Sequence, residues 1–379
     1  MTIQYLKETD ANEYKPLIRR GFQLGWVNEE KRPAMPADAD IVSLWRQDRA
    51  CLLPALLSVK EWQADIEQSH QLMQSTLSSG EITPSLDLPP YTDRLADQFP
   101  LVASSMEEHD EQAIEKVYFD AVAVDSDGAA LAKDDEALAE DLWCKASWLS
   151  FLEDDASLRF RFSFGMECLE DVAADPVRQL WAGKLCDALF PESAALTQNA
   201  QLQPLLQDML GGTAAFVERI VYFNAPGGGA QMHHDVERGH DGVAYAQLSG
   251  STFWLALAKP TLMDELINFS NSKSHADDIA AVIPNEDDRT ALHQLLQDRA
   301  AFSDYLDEND HELVEAIMDR CPAFIEYLIQ QGFAYILHAG DVLLMPQRDL
   351  ETCVWHSVCC LGDEPGEAVS FAIRKEAHA

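Results

Sequence analysis

Apolar and polar positions alternate in the second half of the chain. Leu158-Arg159-Phe160-Arg161-Phe162-Ser163-Phe164 has a period of two and predicts a strand. Its phenylalanines would face a core and its arginines the other side. Pro176 to Leu189 has Val177, Leu180 and Trp181 at helical spacing and predicts an amphipathic helix. Phe216 to Phe223 predicts another strand, ended by the turn Pro226-Gly227-Gly228-Gly229. Two more strands, Val243 to Leu248 and Thr252 to Leu257, flank Ser249-Gly250. The period then changes. Leu292, Leu295 and Leu296, then Leu313, Ala316 and Ile317, then Phe324, Leu328 and Ile329 form stripes that suit helices. Strands resume at Phe333 to Leu337, Val342 to Met345, Val354 to Cys359 and Val369 to Arg374.

The first part of the chain has a different texture. Residues 1–149 read as a mainly helical region with no catalytic signature; Val59 to Met73 has helical spacing. The prolines of Thr83-Pro84-Ser85-Leu86-Asp87-Leu88-Pro89-Pro90 predict a loop. Glu107-Glu108-His109-Asp110-Glu111 and Asp134-Asp135-Glu136 are expected to be exposed. The expected class is α+β, with a helical region at 1–149 and a β domain at 150–379. A helical insertion at about 261–330 interrupts that domain.

Composition narrows the function classes. The 379 residues are 47% hydrophobic, enough for a substantial core. No apolar run approaches the roughly 18 residues that cross a bilayer, so no membrane partner is expected. The N-terminus lacks a basic cluster followed by an apolar run, and a cytoplasmic location is expected. Eight cysteines without a C-x-x-C read as buried thiols. The net charge of −38 excludes sequence-independent binding to nucleic acid, whose phosphates would be repelled. It suits either a solvated acidic surface or the attraction of a cationic partner.

The chemistry concentrates in three residues. His233 and Asp235 stand in Met232-His233-His234-Asp235, after the glycine-rich turn, and His356 stands in Trp355-His356-Ser357-Val358. In a strand, His233 and Asp235 would project from one face and His234 from the other. Two histidines and a carboxylate with open positions suit non-haem Fe(II) that also holds a co-substrate and O2. His240 falls in the polar loop Gly239-His240-Asp241-Gly242 and is expected at the surface; His338 is expected to be structural.

These motifs resemble the JmjC and cupin-like branch of the Fe(II)/2-oxoglutarate oxygenases. The likeness rests on the H-x-D at His233 and Asp235, on Gly340-Asp341-Val342-Leu343-Leu344-Met345-Pro346, and on the distal His356. Phe223-Asn224-Ala225-Pro226-Gly227-Gly228-Gly229 is also similar to bacterial ribosomal-protein hydroxylases of that branch. It covers about residues 150–260 and 331–379. The resemblance implies a double-stranded β-helix, or jelly-roll, core. It implies that His233, Asp235 and His356 bind Fe(II), with 2-oxoglutarate as co-substrate. The reaction implied is hydroxylation of a C–H bond in a basic peptide, a basic protein or a small molecule.

One departure bears on the co-substrate. Proteins of this type often supply a lysine on the strand after the H-x-D loop to hold the far carboxylate of 2-oxoglutarate. Here that position is Thr252 or a neighbour, and the first basic residue is Lys259, expected past the strand end. Arg374, with Ser370 on the same face of the last strand, is the best replacement: a guanidinium binds a carboxylate at two points. Tyr245 is a further candidate donor. The alternatives are a metal-only cupin-type dioxygenase or isomerase, and a non-catalytic JmjC-like scaffold. The sequence does not fix the oligomeric state.

Overall fold

Long alternating segments become the strands of two sheets that face one another. The computed structural model describes residues 2–105, 112–123, 137–149, 156–166, 175–237, 239–308 and 311–376. In chain order the strands are β1 (Thr2–Leu6), β2 (Lys15–Arg19), β3 (Phe22–Lys31), β4 (Cys51–Leu53), β5 (Leu101–Ser105), β6 (Ala113–Val122), β7 (Ala137–Trp148) and β8 (Leu158–Phe164). They continue with β9 (Ala214–Asn224), β10 (Gly242–Gln247), β11 (Ser251–Ala258), β12 (Ala334–His338), β13 (Val342–Pro346), β14 (Val354–Leu361) and β15 (Gly366–Lys375). The large sheet has nine strands in the order β4-β13-β10-β15-β9-β8-β7-β6-β5. The small sheet has the order β12-β11-β14, and β1-β3-β2 form a third. Every strand pair is antiparallel.

The strand alternation sorts side chains between two cores. Val369, Phe371 and Ile373 of β15 join the helix-covered core of the large sheet, with Phe160, Phe162 and Phe164 of β8. Val243, Tyr245, Leu343 and Met345 point the other way and meet Trp254, Ala256 and Val358 of the small sheet. That second cluster fills the space between the sheets. Each inner face is apolar because burying it removes hydrocarbon from water at about 25 cal/mol per Å².

A fourth segment lines the small sheet. Ala230 and Val358 exchange backbone hydrogen bonds of 3.1 and 2.9 Å, and His233 and His356 exchange bonds of 2.9 and 2.8 Å. The Cys360 N–H donates to the Gly228 carbonyl at 2.9 Å. Residues 228–233 therefore run along β14. Gly229 permits this approach: its φ is +142°, and a Cβ there would lie 2.0 Å from the Val358 oxygen.

The expected strands appear within a residue or two of their predicted ends, except that the last begins at Gly366 rather than Val369, and the helix Pro176–Leu189 has the predicted bounds. The helical insertion also appears, as six α-helices among the described residues from Lys259–Asn271 to Pro322–Gln331. Their buried stripes, including Leu292, Ile317, Phe324 and Leu328, pack on the outer face of β11 and β14 through Phe253, Leu255 and Trp355.

The N-terminal 149 residues require correction, because they are not mainly helical. Among the described residues they hold seven strands, and β4 to β7 belong to the nine-stranded sheet, which runs on past residue 150. Among the described residues only β4 pairs with a distant strand, β13; the others pair with strands near them in sequence, and their side chains carry a weak periodic signal. The loop expected at Thr83 to Pro90 contains a single helical turn, Thr83–Leu86. The acidic stretches at Glu107 to Glu111 and Asp134 to Glu136 lie outside the described residues. Among the described residues no helix is long and apolar enough to cross a membrane. Seven of the cysteines are buried, and Cys168 lies outside the described residues.

Candidate metal centre

His233, Asp235 and His356 converge, with one possible ligand atom of each lying within 4.8 Å of the others. His233 Nε2 is 3.6 Å from Asp235 Oδ1, and His356 Nε2 is 3.4 Å from Asp235 Oδ2. The ring centroids are 4.2 Å apart at 54°. His233 ends the segment paired with β14, and residues 234–237 have already left the sheet. The alternation still holds. His234 turns away, and its ring meets Trp355 edge-on at 5.2 Å.

Backbone carbonyls orient both imidazoles. His233 Nδ1 donates to the Gln231 carbonyl at 2.7 Å, and His356 Nδ1 faces the Val354 carbonyl at 3.4 Å. With the proton on Nδ1, each Nε2 turns a lone pair towards Asp235. Burial pushes His356 down to about 4; the neighbouring His233 adds to the shift and Asp235 partly offsets it. His356 is therefore a neutral ring with a free lone pair at ordinary pH. Burial raises the Asp235 carboxyl, but His356, His233, His234 and His240 outweigh it, and the net direction is down. Two lone pairs and one carboxylate aimed at a common point repel each other unless a cation sits between them. The donor set fits a divalent metal. His356 is 3% exposed, whereas the side chains of His233 and Asp235 are 42% and 39% exposed. The centre is thus anchored in the sheet and open on one side.

The surroundings hold these groups in place. The Trp254 ring stacks on His356 at 5.4 Å and 24°. Its Nε1 donates to Thr252 Oγ1 at 2.8 Å, and Thr252 donates to Gln247 Oε1 at 2.8 Å. The Tyr245 hydroxyl donates to the same Gln247 oxygen and accepts from Asn224 Nδ2, both at 3.2 Å. On the other side, Arg19 of β2 forms an ion pair with Asp319 at 2.8 Å, both fully interior. Asp319 Oδ1 accepts the Met232 N–H at 2.9 Å, and Arg19 donates to the Ala230 carbonyl at 3.3 Å. The N-terminal sheet and the helical insertion thus grip the segment that carries His233.

The four residues expected at the co-substrate separate into two groups. Thr252 and Tyr245 lie between the sheets with their hydroxyls engaged in the network above. Ser370 is buried opposite Tyr245, and Arg374 lies four residues along β15 with a buried Nε that has no partner. Lys259 opens the helix after β11 and binds Asp307 at 2.7 and 2.8 Å, directed into the insertion. His338 pairs with Glu29 at 2.9 Å, as a structural histidine does. His240 is not a surface residue: it is 5% exposed, because Asp241 bonds to β15 and draws the loop inward.

No protein-family model and no curated protein matches the sequence. Several solved structures do. YcfD, a ribosomal oxygenase from Escherichia coli, aligns with 87% of this chain and 49% of its own at 13% identity, with a TM-score of 0.28. A second structure of E. coli YcfD aligns with 92% of this chain and 55% of its own at 12% identity and a TM-score of 0.29. A third, in complex with cobalt and succinic acid, gives 87%, 49%, 13% and 0.27. The chain spans about half the length of these structures. An overlap this loose leaves the reading of the site to its own geometry.

Sequence reasoning missed Trp254, Gln247, Asn224, Arg19 and Asp319. Asn224 lies within the glycine-turn motif, but its partner Tyr245 and the His356 ring under Trp254 belong to other strands. Arg19 and Asp319 are 300 positions apart and carry no local signal.

Proposed function

We propose that this protein is an Fe(II)- and 2-oxoglutarate-dependent oxygenase that hydroxylates a C–H bond. The observation that carries the proposal is the convergence of His233 Nε2, His356 Nε2 and the Asp235 carboxylate with one side open. On this reading the two facing sheets and the 228–233 segment are the double-stranded β-helix. Bound iron would supply the oxygen activation, with 2-oxoglutarate consumed to succinate and CO2. The chain's own residues hold and orient. His356, Asp235 and His233 would hold the metal between them. Trp254 covers the buried side of His356 and excludes water there. Arg374 is proposed to receive the far carboxylate, since its unpartnered Nε is a donor without an acceptor. Ser370 is the proposed accessory donor. The acidic surface favours a basic peptide or protein substrate, with a small metabolite as the other class.

The engaged hydroxyls of Thr252 and Tyr245 favour one rival, a metal-only cupin-type dioxygenase or isomerase. Anaerobic addition of 2-oxoglutarate to the Fe(II) protein separates the two. A weak visible charge-transfer band of a chelated keto-acid is expected. Bound iron with no band transfers the protein to the metal-only class. Failure of the Fe(II) protein to form, or full metal uptake by His356→Ala, overturns the triad itself. Arg374→Ala should raise the 2-oxoglutarate requirement more than the substrate requirement.

A further inference from the structure

A second cluster of metal-ligating side chains shares no residue with the first. Glu218, Glu237 and His240 each place one ligand atom within 4.8 Å of the others. Glu218 stands on β9 at a bulge: Phe371 pairs with Arg219 and Ile373 with Phe216, so Val217 and Glu218 oppose Ala372 alone. Bulges of this kind re-aim a side chain. Glu218 is 6% exposed, and Glu237 is half-exposed at the rim. His240 is 95% buried, and its Nε2 has no hydrogen-bond partner.

That nitrogen requires an explanation, since buried polar atoms are almost always paired. Arg161 does not provide one. Its Nε and one terminal nitrogen both bind Oε1 of Glu218, and it approaches Oε1 of Glu237 at 3.6 Å. Arg161 acts as an outer partner that orients two carboxylates, as groups behind metal ligands do.

We propose that Glu218, Glu237 and His240 form a second divalent-cation site, built from two carboxylates and one imidazole. Two carboxyl groups and an imidazole set side by side gain from a cation placed between them. Oxygen and imidazole donors together suit Mn(II), Fe(II) or Zn(II) rather than a soft monovalent ion. Arg374 lies within electrostatic reach of His240 and opposes a cation there. The second site is therefore the weaker and fills after the first. It does not depend on the oxygenase reading.

The experiment is a Mn(II) titration of the full chain, with free Mn(II) followed by electron paramagnetic resonance. Two classes of bound Mn(II) per chain are expected. Glu237→Gln and His240→Ala should each remove the weaker class and keep the tighter one. His356→Ala should do the reverse. Glu237→Gln is isosteric and at the rim, so it decides the matter if His240→Ala does not fold. A single class in the wild type, or a weaker class that survives Glu237→Gln, overturns the proposal. A tighter class that survives His356→Ala counts instead against the His233, Asp235 and His356 triad.

Discussion

Replacing Asp319 with alanine tests how the candidate centre is held. Asp319 and Arg19 form an ion pair at 2.8 Å with each side chain no more than 3% exposed. Removing one partner of a buried pair leaves the other charge uncompensated and costs about 3–5 kcal/mol. Arg19 retains a 2.6 Å bond to the Asp319 main-chain carbonyl, which places the cost near the lower end. The Met232 N–H also loses its acceptor, a penalty of about 1–3 kcal/mol that overlaps the first. A net loss of about 3–5 kcal/mol is expected. With a urea m-value of about 3 kcal/mol per M, the midpoint falls by about 1–1.7 M. Met232 precedes His233, so metal affinity should fall as well, by about 10–100-fold, as when an outer partner of a ligand is lost. Urea unfolding followed by tryptophan fluorescence measures the first effect, and Mn(II) binding to the folded variant measures the second. The double replacement Arg19→Met with Asp319→Leu should cost less than Asp319→Ala alone, because no buried charge remains unpaired. A loss under about 1 kcal/mol in Asp319→Ala refutes the idea of a load held by this pair. Unchanged metal affinity refutes its link to His233.

Three further outcomes follow from the geometry. Gly229→Ala should separate residues 228–233 from β14, because the new methyl meets the Val358 carbonyl; a stability loss of about 2–4 kcal/mol and weakened metal binding are expected, checked by thermal melting and Mn(II) titration. Thr252→Val should leave Trp254 Nε1 without an acceptor and cost about 1–3 kcal/mol, read from the urea midpoint. Glu367→Gln should flatten the pH dependence of stability. Burial, then Glu192, raises the interior Glu367 carboxyl well above 4.5. The folded chain therefore keeps a proton that the unfolded chain releases. Its contribution is full below the ordinary carboxylate range and is lost as pH rises through the raised value. The variant should be more stable than the wild type at about pH 8 and gain nothing at about pH 5; equal midpoints at both would remove Glu367 as the source.

Local pattern alone determined much of this molecule. Strand alternation at Leu158 to Phe164 assigned each side chain its face, because neighbouring residues in a strand must point oppositely. The change of period after residue 261 marked the insertion for the same reason. The spacing of His233 and Asp235 was enough to place both on one side, even though the chain leaves the sheet at once. Tertiary structure decided the rest. The short strand β4 exists because the distant β13 supplies its hydrogen bonds. His240 is interior only because Asp241 bonds to β15. The hydroxyls of Thr252 and Tyr245 are occupied by side chains from other strands, and Arg19 meets Asp319 across 300 positions. A one-dimensional pattern records which face a residue presents; it cannot record what stands opposite, and hydrogen bonds and ion pairs depend on that.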